Sequence, residues 1–134
     1  IYNPKTADQQ LVKELESSGK KGIKTNQGYT KCSVCLVTEN ALITEDPSIY
    51  KALHGTGIDV LLISKGDIYL SDTHYGFFGG STGKIDKNTL AVTGKLKYHT
   101  DGEKIKEIGI LSKSFWGHFS SQSFSYCPLR LCLI

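Results

Sequence analysis

Methionine is absent from this chain of 134 residues, proline occurs three times and tryptophan once. Because translation begins at methionine, we expect the chain to be a processed product or a fragment. No apolar run approaches the roughly 18 residues of a membrane-spanning helix, and no basic segment leads into an apolar one as in a secretory signal. These absences predict a cytoplasmic protein with no membrane partner, whose cysteines are reduced.

The chain also lacks a strong excess of charge of either sign. The chain carries 16 basic and 13 acidic residues, a net charge of +3, and its lysines are scattered along the sequence. A nucleic-acid-binding surface needs basic residues gathered in a patch or stripe, so we expect no nucleic-acid partner. The length suits one domain with its own core, and we predict that residues 1–134 form a single domain.

Two segments have the spacing and end signals of helices. In residues 7–18, Leu11 and Leu15 fall on one face, and a glycine follows the segment. In residues 46–57, Asp46 suits the capping position and is followed by proline, which is favoured in the first turn.

Strand-like patterns and a third helix signal alternate along the rest of the chain. Thr100 and Glu103 have the spacing of a capping box, which predicts a short helix ending at Gly109. The run at residues 58–64 is continuously apolar, so we expect a strand buried on both faces. The predicted strands are residues 32–39, 41–46, 58–64, 68–71, 89–94 and 108–112.

An internal repeat is visible at an offset of about 48 residues, a spacing that builds stacked or closed architectures. Residues 36–64 and 85–111 each read as a strand hairpin, a helix and an apolar strand, with Asn40 aligned to Asn88. The first helix and a short strand around Ile23 resemble the second half of an earlier copy. The pattern predicts an α+β fold of β-β-α-β repeats.

The segment "HYGFFGGSTGK" is the strongest local signal for a binding site. Its glycine spacing fits neither a Walker loop nor a dinucleotide-binding loop. Gly79 and Gly80 are instead predicted to leave room where backbone and ligand meet, with Ser81 as a polar contact; the alternative is a structural turn or bulge. Asp72 and His74 stand beside the glycines and are candidate catalytic residues.

The cysteines allow two other kinds of chemistry. Cys127 is a candidate nucleophile late in the chain. Cys32 and Cys35 have the spacing of half a zinc site, which Cys127 and Cys132 could complete. Residues three apart on a strand point to opposite faces, so we predict that Cys32 and Cys35 are reduced, buried and without metal.

A second histidine–carboxylate pattern lies further along the chain. His99 and Asp101 are separated by one residue, a spacing that could orient an imidazole. The residue between them, Thr100, serves better as the cap of the third helix.

The repeat, together with "VTENALITEDPSIYKAL", "GIDVLLISKGDIYL", "YGFFGGSTGKIDKNTLAVTG" and "KYHTDGEKI", resembles an uncharacterised bacterial family over residues 8–112. That family is grouped with the pentein fold of guanidine-modifying enzymes, which includes amidinotransferases, deiminases and dimethylarginine hydrolases. The resemblance implies an α/β propeller of five β-β-α-β units around a central active site. In such enzymes a late cysteine attacks the guanidinium carbon, a histidine transfers protons and carboxylates hold the substrate.

The chain departs from that pattern in several places. It has about half the length of five units, and Phe78 and Ser81 flank the paired glycines where the enzymes tend to carry a carboxylate. We therefore expect an incomplete pentein-like architecture, with residues 113–134 as a tail of uncertain structure. The expected function is to bind or act on a guanidino or amidino small molecule, without a cofactor. The alternatives are a non-catalytic binding or self-assembling module, forming homo-oligomers, and a zinc-stabilised adaptor.

Overall fold

The computed structural model describes residues 1–70, 75–111 and 130–133, and this part of the chain is an α+β fold, as the sequence predicted. The helices are α1 (Gln9–Ser17), α2 (Pro47–Leu53) and α3 (Gly102–Leu111). The strands are β1 (Val34–Leu36), β2 (Ala41–Thr44), β3 (Asp59–Leu62), β4 (Thr82–Asp86), β5 (Thr89–Val92) and β6 (Arg130–Leu133). Single 3₁₀ turns occur at Gly79–Ser81 and Leu96–Tyr98.

Two three-stranded sheets share one topology. Each has an antiparallel hairpin followed by a parallel third strand, in the order β1-β2-β3 and β4-β5-β6. Val34 lies opposite Thr44 in the first sheet, and Thr82 lies opposite Val92 in the second, so both partners are displaced by the same 48 positions. The central strands are therefore equivalent in register as well as in order.

The first two helices begin where their capping residues predict. The Asp8 carboxylate accepts a hydrogen bond from the Leu11 amide at 2.8 Å, and Gly19 follows α1 with a φ of +78°. The Asp46 carboxylate accepts from the Ser48 and Ile49 amides, which are free donors in the first turn of α2. Both helix predictions are confirmed, with ends shorter by one to four residues.

The core joins the two sheets. Alternate residues of β2 face opposite sides: Ile43 enters a cluster shared with the second sheet, whereas Leu42 packs beneath α2 with Ile49 and Leu53. The buried residues of the shared cluster are Cys35, Val37, Ile43, Ile63, Phe78, Leu90, Val92, Leu96 and Ile105.

One strand forms without the predicted burial, and another predicted strand does not form. Residues 58–64 were expected to be buried on both faces, but β3 is the last strand of its sheet and only Ile63, just beyond it, is buried. Residues 68–70 form no strand; the Ile68 carbonyl instead accepts the Gly76 amide at 2.7 Å.

The region around the third helix also differs from expectation. Thr100 does not cap it, because the helix begins at Gly102 and the Thr100 amide donates to Asp67 at 2.9 Å. The helix does not end at Gly109 and continues to Leu111, where a strand was predicted. Ile105 and Ile108 pack on the shared core, which favours helix through this segment. The strand that completes the second sheet is β6.

Candidate functional site

A cavity of about 700 Å³ opens beside the second sheet. Its walls come from residues 67–70, 75–78, 80–81, 92–96 and 98–99, with Cys32 at one side. The size lies within the range of small-molecule sites. Its lining is largely apolar and includes several aromatic rings, and its charged or titratable groups include Asp67, Lys95 and His99.

The paired glycines have separate roles. A Cβ on Gly79 would lie 2.5 Å from the main-chain oxygens of Cys32 and Val34, so this glycine permits the 3₁₀ turn to pack against the start of β1. Gly80 borders the cavity, has no atom within 4 Å of the Cβ direction, and does not adopt a positive φ. Only Gly80 therefore leaves room on the cavity side.

Ser81 borders the cavity with its hydrogen-bond donors already engaged. Its amide donates to the Phe78 carbonyl at 3.0 Å, and its hydroxyl donates to the same oxygen at 2.8 Å. Its own carbonyl accepts the Thr93 amide. What Ser81 offers a ligand is thus the acceptor capacity of its hydroxyl oxygen.

His99 and Asp67 form the polar end of the cavity wall. His99 Nδ1 lies 3.3 Å from Asp67 Oδ2, and the His99 side chain is 5% exposed. The Asp101 amide donates to the same Nδ1 at 3.0 Å. Because an amide can only donate, the neutral imidazole carries its proton on Nε2. That Nε2 is buried and has no hydrogen-bond partner within the described residues.

Asp101, two residues after His99, is held in place by its own hydrogen bonds. Its carboxylate accepts the Ser64 amide at 2.7 Å and the Lys104 ammonium at 2.6 Å, thereby joining the end of β3 to the start of α3. The hydrogen bond from Lys104, followed by those from Ser64, holds the pKa of Asp101 well below its usual range. The HxD pattern of the sequence thus serves to position His99, and the carboxylate facing the imidazole comes from Asp67.

Several aromatic rings border the cavity. Tyr69 and Tyr98 are largely exposed, Tyr75 is partly exposed, and all three border the cavity. The Lys97 ammonium lies 4.7 Å from the centroid of the Tyr98 ring, a cation–π distance. Phe78 is buried and meets the His99 ring edge-on, with centroids 5.6 Å apart.

Sequence reasoning missed a buried carboxylate next to this wall. Glu45 is 2% exposed, and neither carboxylate oxygen accepts a hydrogen bond of ordinary geometry from the described residues. Burial raises the pKa of Glu45, opposed in part by the Phe78 amide and by Lys65. The only sequence signal was a second acidic residue directly before the cap of α2.

The three candidate catalytic residues of the sequence all fall outside the part of the chain that the structure describes. They are Asp72, His74 and Cys127.

Cys32 was expected to be buried, but it is exposed and borders the cavity, because it precedes β1 in a turn rather than lying within a strand.

The cysteine pair is divided between surface and core. Cys35 is buried, and burial raises the pKa of its thiol, whereas the hydrogen bond with Thr82 and the charge of Lys84 act to lower that pKa.

Across residues 1–70, 75–111 and 130–133, no three His, Cys, Asp or Glu side chains cluster as metal ligands would. Within the same ranges, no helix has the length and apolar character needed to cross a membrane.

Comparison with known proteins places the chain by family. No curated protein and no solved structure matches it. Residues 1–115, most of the chain, match a family of unknown function. The chain therefore belongs to the family of unknown function DUF6873.

Proposed function

We propose that the cavity binds a small molecule with a planar guanidino or amidino cation, on an incomplete pentein-like architecture. The observation that carries this proposal is a carboxylate, Asp67, set in a cavity bordered by Tyr69, Tyr75 and Tyr98.

The chemistry of the guanidinium group matches this wall. The group is planar, carries only donors, pairs with a carboxylate and stacks on aromatic faces. Asp67 supplies the acceptor, and the tyrosine rings supply faces for the cation. Gly80 leaves the approach free of side-chain atoms.

Asp67 is held in place before a ligand arrives. Its Oδ2 accepts the Thr100 amide at 2.9 Å. A carboxylate already fixed by its neighbours loses little freedom on binding, which favours affinity. The other oxygen, Oδ1, is the atom we assign to the ligand.

The repeated topology supports the pentein-like part of the proposal. Both sheets have the β-β-α-β order with the same hairpin register, as repeats arranged around one axis would.

The proposed site could bind its ligand without converting it to a product. Any covalent step would need a nucleophile, for which Cys127 stays the prediction, while Cys32 is a thiol that borders the cavity.

Calorimetric titration tests the proposal directly. Agmatine, arginine and methylated arginine are compared with urea analogues of the same length, which are isosteric but neutral. We expect binding of the cations only, and a loss of at least about tenfold in affinity for Asp67→Asn, because a charged hydrogen bond is replaced by a neutral one.

A matched control separates a site effect from general electrostatics. Asp59→Asn removes the same charge from exposed edge strand β3, away from the cavity lining, and should leave affinity unchanged. Equal binding of the neutral analogues, or equal effects of the Asp67 and Asp59 variants, would contradict the proposal.

A further inference from the structure

The contact between His99 and Asp67 changes sign with the charge of the histidine. Nδ1 of His99 lies 3.3 Å from Oδ2 of Asp67 and accepts the Asp101 amide at 3.0 Å. In the neutral ring this nitrogen carries a lone pair, so it has no hydrogen to donate to the carboxylate. A proton on Nδ1 turns the same approach into a charge-assisted hydrogen bond with Asp67 and takes the acceptor away from the Asp101 amide.

The charge of Asp101 is already balanced. Its carboxylate pairs with the Lys104 ammonium at 2.6 Å and accepts the Ser64 amide at 2.7 Å. The hydrogen bond from Lys104, followed by those from Ser64, keeps the pKa of Asp101 low. Asp101 therefore stays ionised and paired in either charge state of the histidine.

The cavity side supplies one negative charge to the imidazole. Asp67 is the one carboxylate among the described residues of the cavity lining. Burial raises the pKa of Glu45, next to the Phe78 amide, which favours its neutral form. The charged or titratable groups on the elements around His99 are thus Asp67, Lys95 and Tyr98 in the cavity wall, Asp101 and Lys104 at the start of α3, and Glu45.

We propose that a proton on His99 and the cation of the ligand compete for Asp67, an inference that rests on the proposed function. With neutral His99, the carboxylate charge is available to a cation on Oδ1. With protonated His99, the charge is balanced from Oδ2, and a second cation adds unpaired positive charge beside Lys95. Because the His99 and Asp67 side chains are only 5% and 22% exposed, water and salt screen these charges weakly.

The competition predicts weaker ligand binding in acid. Histidine side chains titrate near pH ~6.5, so complete exclusion would lower the affinity for agmatine about tenfold between about pH 7.5 and about pH 5.5. Linkage is reciprocal, so binding of the ligand should in turn release the proton. Calorimetric titration near pH ~6.5, in buffers of different ionisation enthalpy, measures that release.

A glutamine at position 99 separates the proton from the shape of the site. His99→Gln cannot be protonated, but its amide oxygen can still accept the Asp101 amide. We expect its affinity for agmatine to be nearly constant over the same pH range. His54→Gln, at the exposed end of α2 and outside the cavity lining, should keep the wild-type dependence. A constant affinity in the wild type, or the same loss in acid for His99→Gln, overturns the proposal.

The proton site is also measured without ligand. The ring ¹⁵N resonances of His99 should show a proton on Nε2 alone near neutral pH and on both nitrogens in acid. Asp67→Asn should move this change to lower pH, because it removes the negative partner, whereas Asp59→Asn on exposed β3 should not. Equal midpoints in the two variants would overturn the proposal. Failure of every guanidino compound to bind would refute the proposed function, whereas this titration judges the proton site independently.

Discussion

A single methyl group added at Gly79 should damage the fold. The new Cβ would lie 2.5 Å from the carbonyl oxygens of Cys32 and Val34, about 1 Å inside the ~3.5 Å at which non-bonded heavy atoms attract. Both atoms belong to the main chain, so no rotamer change relieves the contact, and β1 must move. We expect Gly79→Ala to lower the free energy of unfolding by about 3 kcal/mol, the upper end for overpacking, and the melting temperature by roughly 10 °C.

The neighbouring glycine is the matched control. A Cβ on Gly80 meets nothing within 4 Å, and its φ is not positive, so Gly80→Ala should stay within about 0.5 kcal/mol of the wild type. Urea unfolding of the three proteins, followed by far-UV circular dichroism, measures both changes. Equal losses in the two variants, or none in Gly79→Ala, would refute the close approach of the turn to β1.

Further predictions concern one cavity glycine and three carboxylates. Gly80→Leu should block ligand binding in calorimetry while leaving the melting temperature nearly unchanged. Glu45 has a raised pKa, so it favours folding most below its unfolded value of about 4.3 and less as pH rises; Glu45→Gln should gain stability relative to the wild type between pH 4 and 8 in thermal melts. Asp101 has a lowered pKa, so its contribution is present above about pH 4 and is lost in acid; the deficit of Asp101→Asn in urea unfolding should shrink toward pH 2. Burial alone would raise the pKa of Asp46, but its hydrogen bonds from α2 and Gln27 lower it; Asp46→Ala should cost about 1 kcal/mol in urea unfolding at pH 7 through loss of the cap.

The repeat of the two hairpins could be predicted from the sequence, whereas the third strand of the second sheet could not. The 48-residue offset proposed from the sequence is the offset of the paired residues in the two hairpins, because turn residues and apolar alternation repeat wherever the same hairpin is built. The third strand of the second sheet had no such signature. It was expected directly after α3, yet β6 begins at Arg130, and strand pairing between distant segments leaves little trace in either segment alone.

The candidate site was found only in part from the sequence. Gly80 and Ser81 do border the cavity, whereas Gly79 supports it from the β1 side. His99 and Asp67 lie side by side although they are 32 positions apart in the chain, and Asp67 directly precedes residues 68–71, which the sequence suggested were a strand. A histidine pattern can indicate a local partner, but spatial partners depend on how loops fold back.

By itself, the sequence determined the elements whose stabilising groups are close along the chain. Asp46 caps α2 within three residues, and Gly19 follows α1 in a positive-φ conformation, because caps and left-handed turns are set by local hydrogen bonds and sterics. Only the tertiary structure decided burial and proximity. It buries Glu45, leaves Leu11 and Leu15 of α1 exposed and brings Asp67 next to His99. These outcomes depend on which surfaces pack together, and that packing is a property of the whole chain.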